Sequence, residues 1–161
     1  MAFVSVTRLR PRSLLQLPVL AFHTWKSYRQ LGRADGFLGG YLASGAGLAF
    51  WTVTLWADQD AMRAYRDTAA HRAAMPVLIG ACDEAALAHW LTDETTAPSP
   101  AMAAAKLKQG GRTSKLRHPS PRHAAGDPLP DARPPRVGPS LGGSGNRHDA
   151  PGANKRLRSL L

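Results

Sequence analysis

Two histidines and a small set of large aromatics are the residues of this 161-residue chain whose types and spacing could do chemistry. A neutral imidazole exchanges protons near physiological pH, and His71, where two short helices meet, is the candidate base. His89 alternates with Leu87 and Leu91 and so shares a strand face with them. Trp25, Trp51, Trp56, Tyr65 and Trp90 could hold a flat ring, their indole N–H and phenol O–H groups orienting it. His23, beside Trp25, could look into such a pocket from a helix above. Each has a competing duty: a small core needs aromatics, and a histidine at a helix junction serves as a cap.

Other chemistries fall away. Cys82 is the only cysteine, which excludes an internal disulfide framework and a multi-cysteine metal site; it reads as a small buried thiol in a reducing, cytoplasmic setting. Asp83 and Glu84 are adjacent and would project oppositely on a strand, so they read as a loop edge rather than a proton-sharing pair. The run Gly36-Phe37-Leu38-Gly39-Gly40 lacks the strand-turn-helix setting of a dinucleotide loop. No zinc pair or nucleophile elbow appears, and no metal ligand set is assigned.

Charge and composition divide the chain at Ala97. Residues 1–97 hold 9 basic and 8 acidic residues, whereas 98–161 hold 12 and 3. All 11 aromatics precede Leu91, and 10 of the 13 prolines follow Ala97. Only the first part can bury a core that offsets ordering entropy; residues 98–161 read as a disordered, Pro/Gly/Arg-rich basic tail. Its cations, among them Lys106, Lys108, Arg112, Lys115, Arg117 and Lys155-Arg156-Leu157-Arg158, could touch nucleic acid nonspecifically, with steep salt dependence, though a solvated tail needs no partner. The apolar run Leu14–Phe22 behind Arg8, Arg10 and Arg12 is too short to span a bilayer and lacks a small-residue cleavage pattern, so export is not expected and no membrane partner is expected.

The elements that must position these residues follow from periodicity. Phe3–Leu9 is a β-branched strand. Leu14, Leu17, Leu20, Ala21, Trp25 and Tyr28 recur at helical spacing to about Arg33, with a late start or kink at Pro18. Phe37–Leu42 and Leu48–Trp56 form a hairpin around Ser44-Gly45-Ala46-Gly47. In its second strand Trp51, Val53 and Leu55 share one face and Phe50, Thr52, Thr54 and Trp56 the other; both faces are apolar enough to require cover. Asp58 caps a helix bearing Ala61, Met62, Tyr65 and Ala69, and a second helix runs from about His71 to Ile79, broken by Gly80. Glu84–Leu91 is ambiguous, helical by propensity and a strand by position. The order suits an α+β, ferredoxin-like βαββαβ antiparallel sheet with helices on one face, leaving the other in need of cover.

Phe50-Trp51-Thr52-Val53-Thr54-Leu55-Trp56, then Asp58, Ala61-Met62, Tyr65, Thr68 and His71, resemble the antibiotic biosynthesis monooxygenase-like family, over roughly Phe3 to Leu91. The resemblance implies a homodimer in which two open sheet faces close a dimeric α+β barrel, with a ligand cavity between helices and sheet in each subunit. It also makes Ala85–Leu91 the fourth strand.

Relatives in that family include oxygenases of aromatic polyketides and quinols that need no cofactor, haem-degrading enzymes and proteins without assigned activity, so fold alone does not fix chemistry. Haem degradation in the family uses an Asn on the first strand, an aromatic on the second helix and a His after it. Thr7, Tyr65 and Met75 stand there, with His71 one turn away, and only the aromatic matches. Haem is therefore the cofactor to test, but the expectation is none. A monooxygenase-like protein acting on a small aromatic or quinol-type substrate, with His71 as base, is the leading expectation; a noncatalytic dimer binding a ligand or protein is the alternative.

Overall fold

The computed structural model describes residues 1–128 and 133–142. Strand β1 (Ala2–Pro11) is central and pairs antiparallel with β3 (Phe50–Trp56) on one side and β4 (Cys82–Thr92) on the other. β2 (Phe37–Ser44) pairs with β3, giving the sheet order β4-β1-β3-β2 of the expected βαββαβ arrangement. Helix α1 (Leu17–Leu31) starts late, after a turn of 3-10 helix over Leu14–Gln16, and Pro18 sits in its first turn, where a missing N–H costs nothing. α2 (Gln59–Arg66) is capped by Asp58, whose Oδ1 accepts from Ala61 N at 2.8 Å.

α3 (Ala69–Ala81) runs through Gly80 rather than stopping there. Pro76 lies inside it on the exposed side, where water can reach the carbonyl its ring deprives of a partner. β4 settles the ambiguous segment as strand, against the helix propensity of its alanines. Ten registered partners on β1 outweigh a preference of tenths of a kcal/mol per residue. Asp83 and Glu84 are therefore strand residues, which corrects their reading as a loop edge.

Period-two alternation sorts the side chains onto two faces. On one lie Phe3, Phe37 and Trp56, packed with Leu31, Met62 and Leu141 beneath α1 and α2. On the other lie Val4, Val6, Tyr41, Ala43, Trp51, Val53, Leu55, Ala86 and Ala88. The second face is covered from within the chain. Helix α4 (Pro100–Gly110) lays Ala103, Ala104 and Leu107 on it, with Leu107 fully buried. Tyr41 Oη donates to the Pro98 carbonyl at 2.8 Å and fixes the entry to α4, and Ser99 caps it.

The region after Ala97 is thus corrected over its described part. Besides α4 it contributes β5 (Arg112–Thr113) beside β4, α5 (Pro121–Ala124), and β6 (Arg136–Gly142) beside β2. Small alanines and one leucine gave α4 no strong apolar signal, yet a flat sheet face accepts such a helix closely. Residues 129–132 and 143–161, including the Lys155–Arg158 cluster, lie outside the described residues. Among the described residues no helix is long and apolar enough to cross a membrane.

Candidate functional site

The α2–α3 junction is shaped by Thr68 and Ala69. Ala69 takes φ +44°, a left-handed conformation that costs an alanine on the order of 1 kcal/mol. The turn is tied to α1 by Gln30, whose Nε2 donates to the carbonyls of Tyr65 (3.0 Å) and Thr68 (3.1 Å) while its Oε1 accepts from His71 N at 2.8 Å. The His71 backbone is therefore held by a side chain from another helix.

The His71 ring packs on Tyr65, with centroids 4.9 Å apart, and Tyr65 packs on Trp56 at 5.2 Å, which meets Phe37 at 5.2 Å. Nδ1 of His71 lies 3.2 Å from the Arg66 carbonyl. A carbonyl can only accept, so in the neutral ring Nδ1 carries the hydrogen and Nε2 is the basic nitrogen. Burial pushes the His71 pKa below its ordinary value.

His89 stands on the same sheet face as Trp56, because Phe3 faces Trp56 and Ser5 faces both Thr54 and His89 across the strands. Its Nε2 lies 3.1 Å from Ser5 Oγ, and its ring is 5.3 Å from Phe3. Burial lowers its pKa first, with Arg112, Arg66 and Arg63 adding to the effect. Arg66 acts on His71 in the same direction, after burial, and its guanidinium is clamped to Asp67 by two bonds of 2.7 Å. The two histidines end an aromatic wall of Phe3, Trp56 and Tyr65. Around His89 the helix-side floor of the sheet remains half-open at Ser5, Thr7, Thr52 and Leu87.

The expected aromatic box is divided. Trp51 and Trp90 lie on the opposite face, Trp51 in the core beneath α4 and Trp90 under Lys106 Nζ, 5.9 Å from the ring centroid. They cannot share a pocket with Trp56 and Tyr65 across the sheet, because alternate residues of a strand point to opposite sides. Trp25 is on the outside of α1, 41% exposed, with Arg29 over its ring at 5.1 Å. It lines an open groove of about 930 Å³ between α1 and the α2–α3 junction, with Gln30, Arg33, Asp58, Tyr65 and Thr68. His23 packs edge-on against Phe22.

The polar tips expected to orient a ligand are spent internally. Trp56 Nε1 donates to Thr54 Oγ1 at 2.9 Å, and Tyr65 Oη to the Ser27 carbonyl at 3.1 Å, with burial driving its phenol pKa well up. Both act as wall rather than as donors. Gln30, Ser5 and Arg66 were not singled out in the sequence. His23, Ser27 and Gln30 recur at spacings of four and three, a polar stripe on α1 that marks the side facing Tyr65.

The haem test fails on the donors. Met75 is 43% exposed on the outward side of α3, whereas Thr7 lies on the sheet; a thioether turned away from that surface is no substitute for an imidazole ligand. Among the described residues no group of three His, Cys, Asp or Glu side chains could hold a metal ion.

No family model and no curated protein matches the chain. Solved structures do. A Nitrosomonas europaea protein of the antibiotic biosynthesis monooxygenase type aligns with a TM-score of 0.52 at 13% identity, over 59% of this chain and 93% of its own. A Mycobacterium tuberculosis protein aligns at 0.51 and 17%, over 60% and 100%, and a conserved Methanosarcina mazei protein at 0.53 and 9%, over 58% and 94%. At such identities the likeness is one of architecture, and the architecture of this chain is the one it shares with the Nitrosomonas europaea protein of the antibiotic biosynthesis monooxygenase type.

Proposed function

We propose that the protein is a monooxygenase-like enzyme acting on a small aromatic or quinol-type substrate without a dedicated cofactor. The observation that carries this reading is the pair of imidazoles, His71 and His89, stacked at the two ends of one aromatic wall, on Tyr65 and on Phe3, with burial lowering the pKa of each. A naphthoquinol lying against Tyr65 gives its phenolic proton to Nε2 of His71. The resulting phenolate is stabilised by Arg66 and oriented by the His89–Ser5 pair. Dioxygen then oxidises the electron-rich ring. One oxygen atom replaces a ring hydrogen to give a hydroxynaphthoquinone, the other leaves as water, and the substrate supplies all the electrons. The name of the Nitrosomonas europaea neighbour points to the same class.

The test is oxygen uptake by metal-free protein with a naphthoquinol, with product analysis. Autoxidation gives the unhydroxylated quinone and hydrogen peroxide, so hydroxynaphthoquinone is the diagnostic product. His71→Ala is expected to lower its formation by about 10²–10⁴-fold, the usual worth of a general base. Equal formation by wild type and His71→Ala removes His71 from the mechanism.

A noncatalytic reading has one specific support: the N–H of Trp56 and O–H of Tyr65 are already bonded within the protein. On this view the same wall binds an apolar ligand, and the quinol is bound without turnover. Self-association, which the resemblance implies, belongs with these proposals; the sheet face it would use carries α4.

A further inference from the structure

We propose that the outer face of the α1–α3 helix layer docks on a bilayer surface containing anionic lipid. The turn before α1 and the outward stripe of α1 expose Leu14 (64%), Leu15 (86%), Phe22 (52%) and Trp25 (41%), and Met75 (43%) lies on the neighbouring α3. Isolated exposed apolar residues need no explanation, but a cluster of this kind marks a binding surface.

Cations are interleaved with it. Lys26 Nζ lies over Phe22 at 5.2 Å and the Arg29 guanidinium over Trp25 at 5.1 Å, with Arg12 and Arg72 exposed nearby. Neither α1, α3 nor the Leu14–Gln16 turn contains an acidic residue; the acids that share a groove with Trp25, Lys26 and Arg29, namely Asp35, Asp58 and Asp60, belong to the loops and to α2. Bulky apolar side chains beside Lys and Arg on one helix face are the pattern of a helix lying flat in the lipid interface: rings and leucines enter the acyl boundary while cations meet headgroup phosphates.

Other occupants fit less well. A second copy meeting this face about a two-fold axis would set Arg12, Lys26 and Arg29 against themselves. Residues 143–161 bring Arg147, Lys155, Arg156 and Arg158 with a single acid, Asp149, and so add like charge. A nucleic acid would match the cations but leave Leu14, Leu15 and Phe22 in water.

The experiment is cosedimentation of the full chain with vesicles of phosphatidylcholine alone or mixed with phosphatidylglycerol. Binding is expected to the mixed vesicles and to be weak with the neutral ones. The double variant Leu15→Ser, Phe22→Ser keeps every charge and is expected to lower partitioning about tenfold or more. Undiminished binding by that variant would assign the attraction to the basic C-terminal region and overturn the proposal, as would equal binding to both vesicle types or none to either. A second readout does not depend on those substitutions. Lipids brominated in the acyl chain are expected to quench the wild-type tryptophan emission, and Trp25→Phe to lose that quenching. Equal quenching in Trp25→Phe moves the contact elsewhere and overturns the assignment.

Discussion

At the scale of single residues the two histidines set a pH signature. Their folded pKa values lie below the ordinary 6.5, so between the folded and unfolded values the unfolded chain binds more protons. The stability they contribute is then complete above pH 6.5 and is lost as pH falls through the folded values. Thermal unfolding followed against pH is expected to show this loss, and His71→Asn to reduce it; the acid limb of any turnover should likewise fall below pH 6.5. Glu84 makes the sharpest stability prediction. It is 2% exposed and accepts from Arg8 at 2.6 Å, Arg10 at 3.0 Å and Ser120 at 3.3 Å. Glu84→Gln leaves the buried Arg8 uncompensated and is expected to cost on the order of 3 kcal/mol by urea denaturation. His71 could be found in the sequence because its spacing from Trp56 and Tyr65 is local. Ser5 and Gln30 could not, because their partners lie 84 and up to 41 positions away.

At the scale of elements, α4 is the piece that sequence reading missed, and its energetics show why. Its contribution rests on Ala103, Ala104 and Leu107 meeting a sheet, and three buried positions in eleven do not make a periodic signal. Leu107→Ala is nevertheless expected to cost about 2–5 kcal/mol, the usual range for emptying a buried leucine site, and Tyr41→Phe about 1 kcal/mol through the lost bond to Pro98; chemical denaturation checks both. The first three strands and α1 and α2 were legible from alternation, helical spacing and the Asp58 cap. β4 was not legible from propensity, since Ala85, Ala86 and Ala88 favour helix, and only the pairing of β1 with β4 makes it a strand. The open groove beside Trp25 was equally invisible, being a product of how α1 leans on the α2–α3 junction.

For the molecule as a whole, the two-sided apolar character of β3 required cover on both faces, and the structure supplies both from one chain. Sharing the second face with another copy therefore means lifting α4. Leu107→Asp is expected to raise the two-chain fraction seen by light scattering, relative to wild type at the same concentration; an unchanged mass would show that the covered face is not a site of pairing. The short elements beyond α4 matter in a different way. Ser114 N–H donates to the Ala85 carbonyl at 2.8 Å, and one buried imidazole, His123, serves the Ala85 amide through Nδ1 and the Ser114 carbonyl through Nε2. These bonds occupy backbone groups along the outer margin of β4 that would otherwise stand open to water, while β6, carrying Pro139, screens β2 at the far margin. A sheet with its rims so dressed offers a poor template for strand-by-strand stacking, the ordinary route to fibrils.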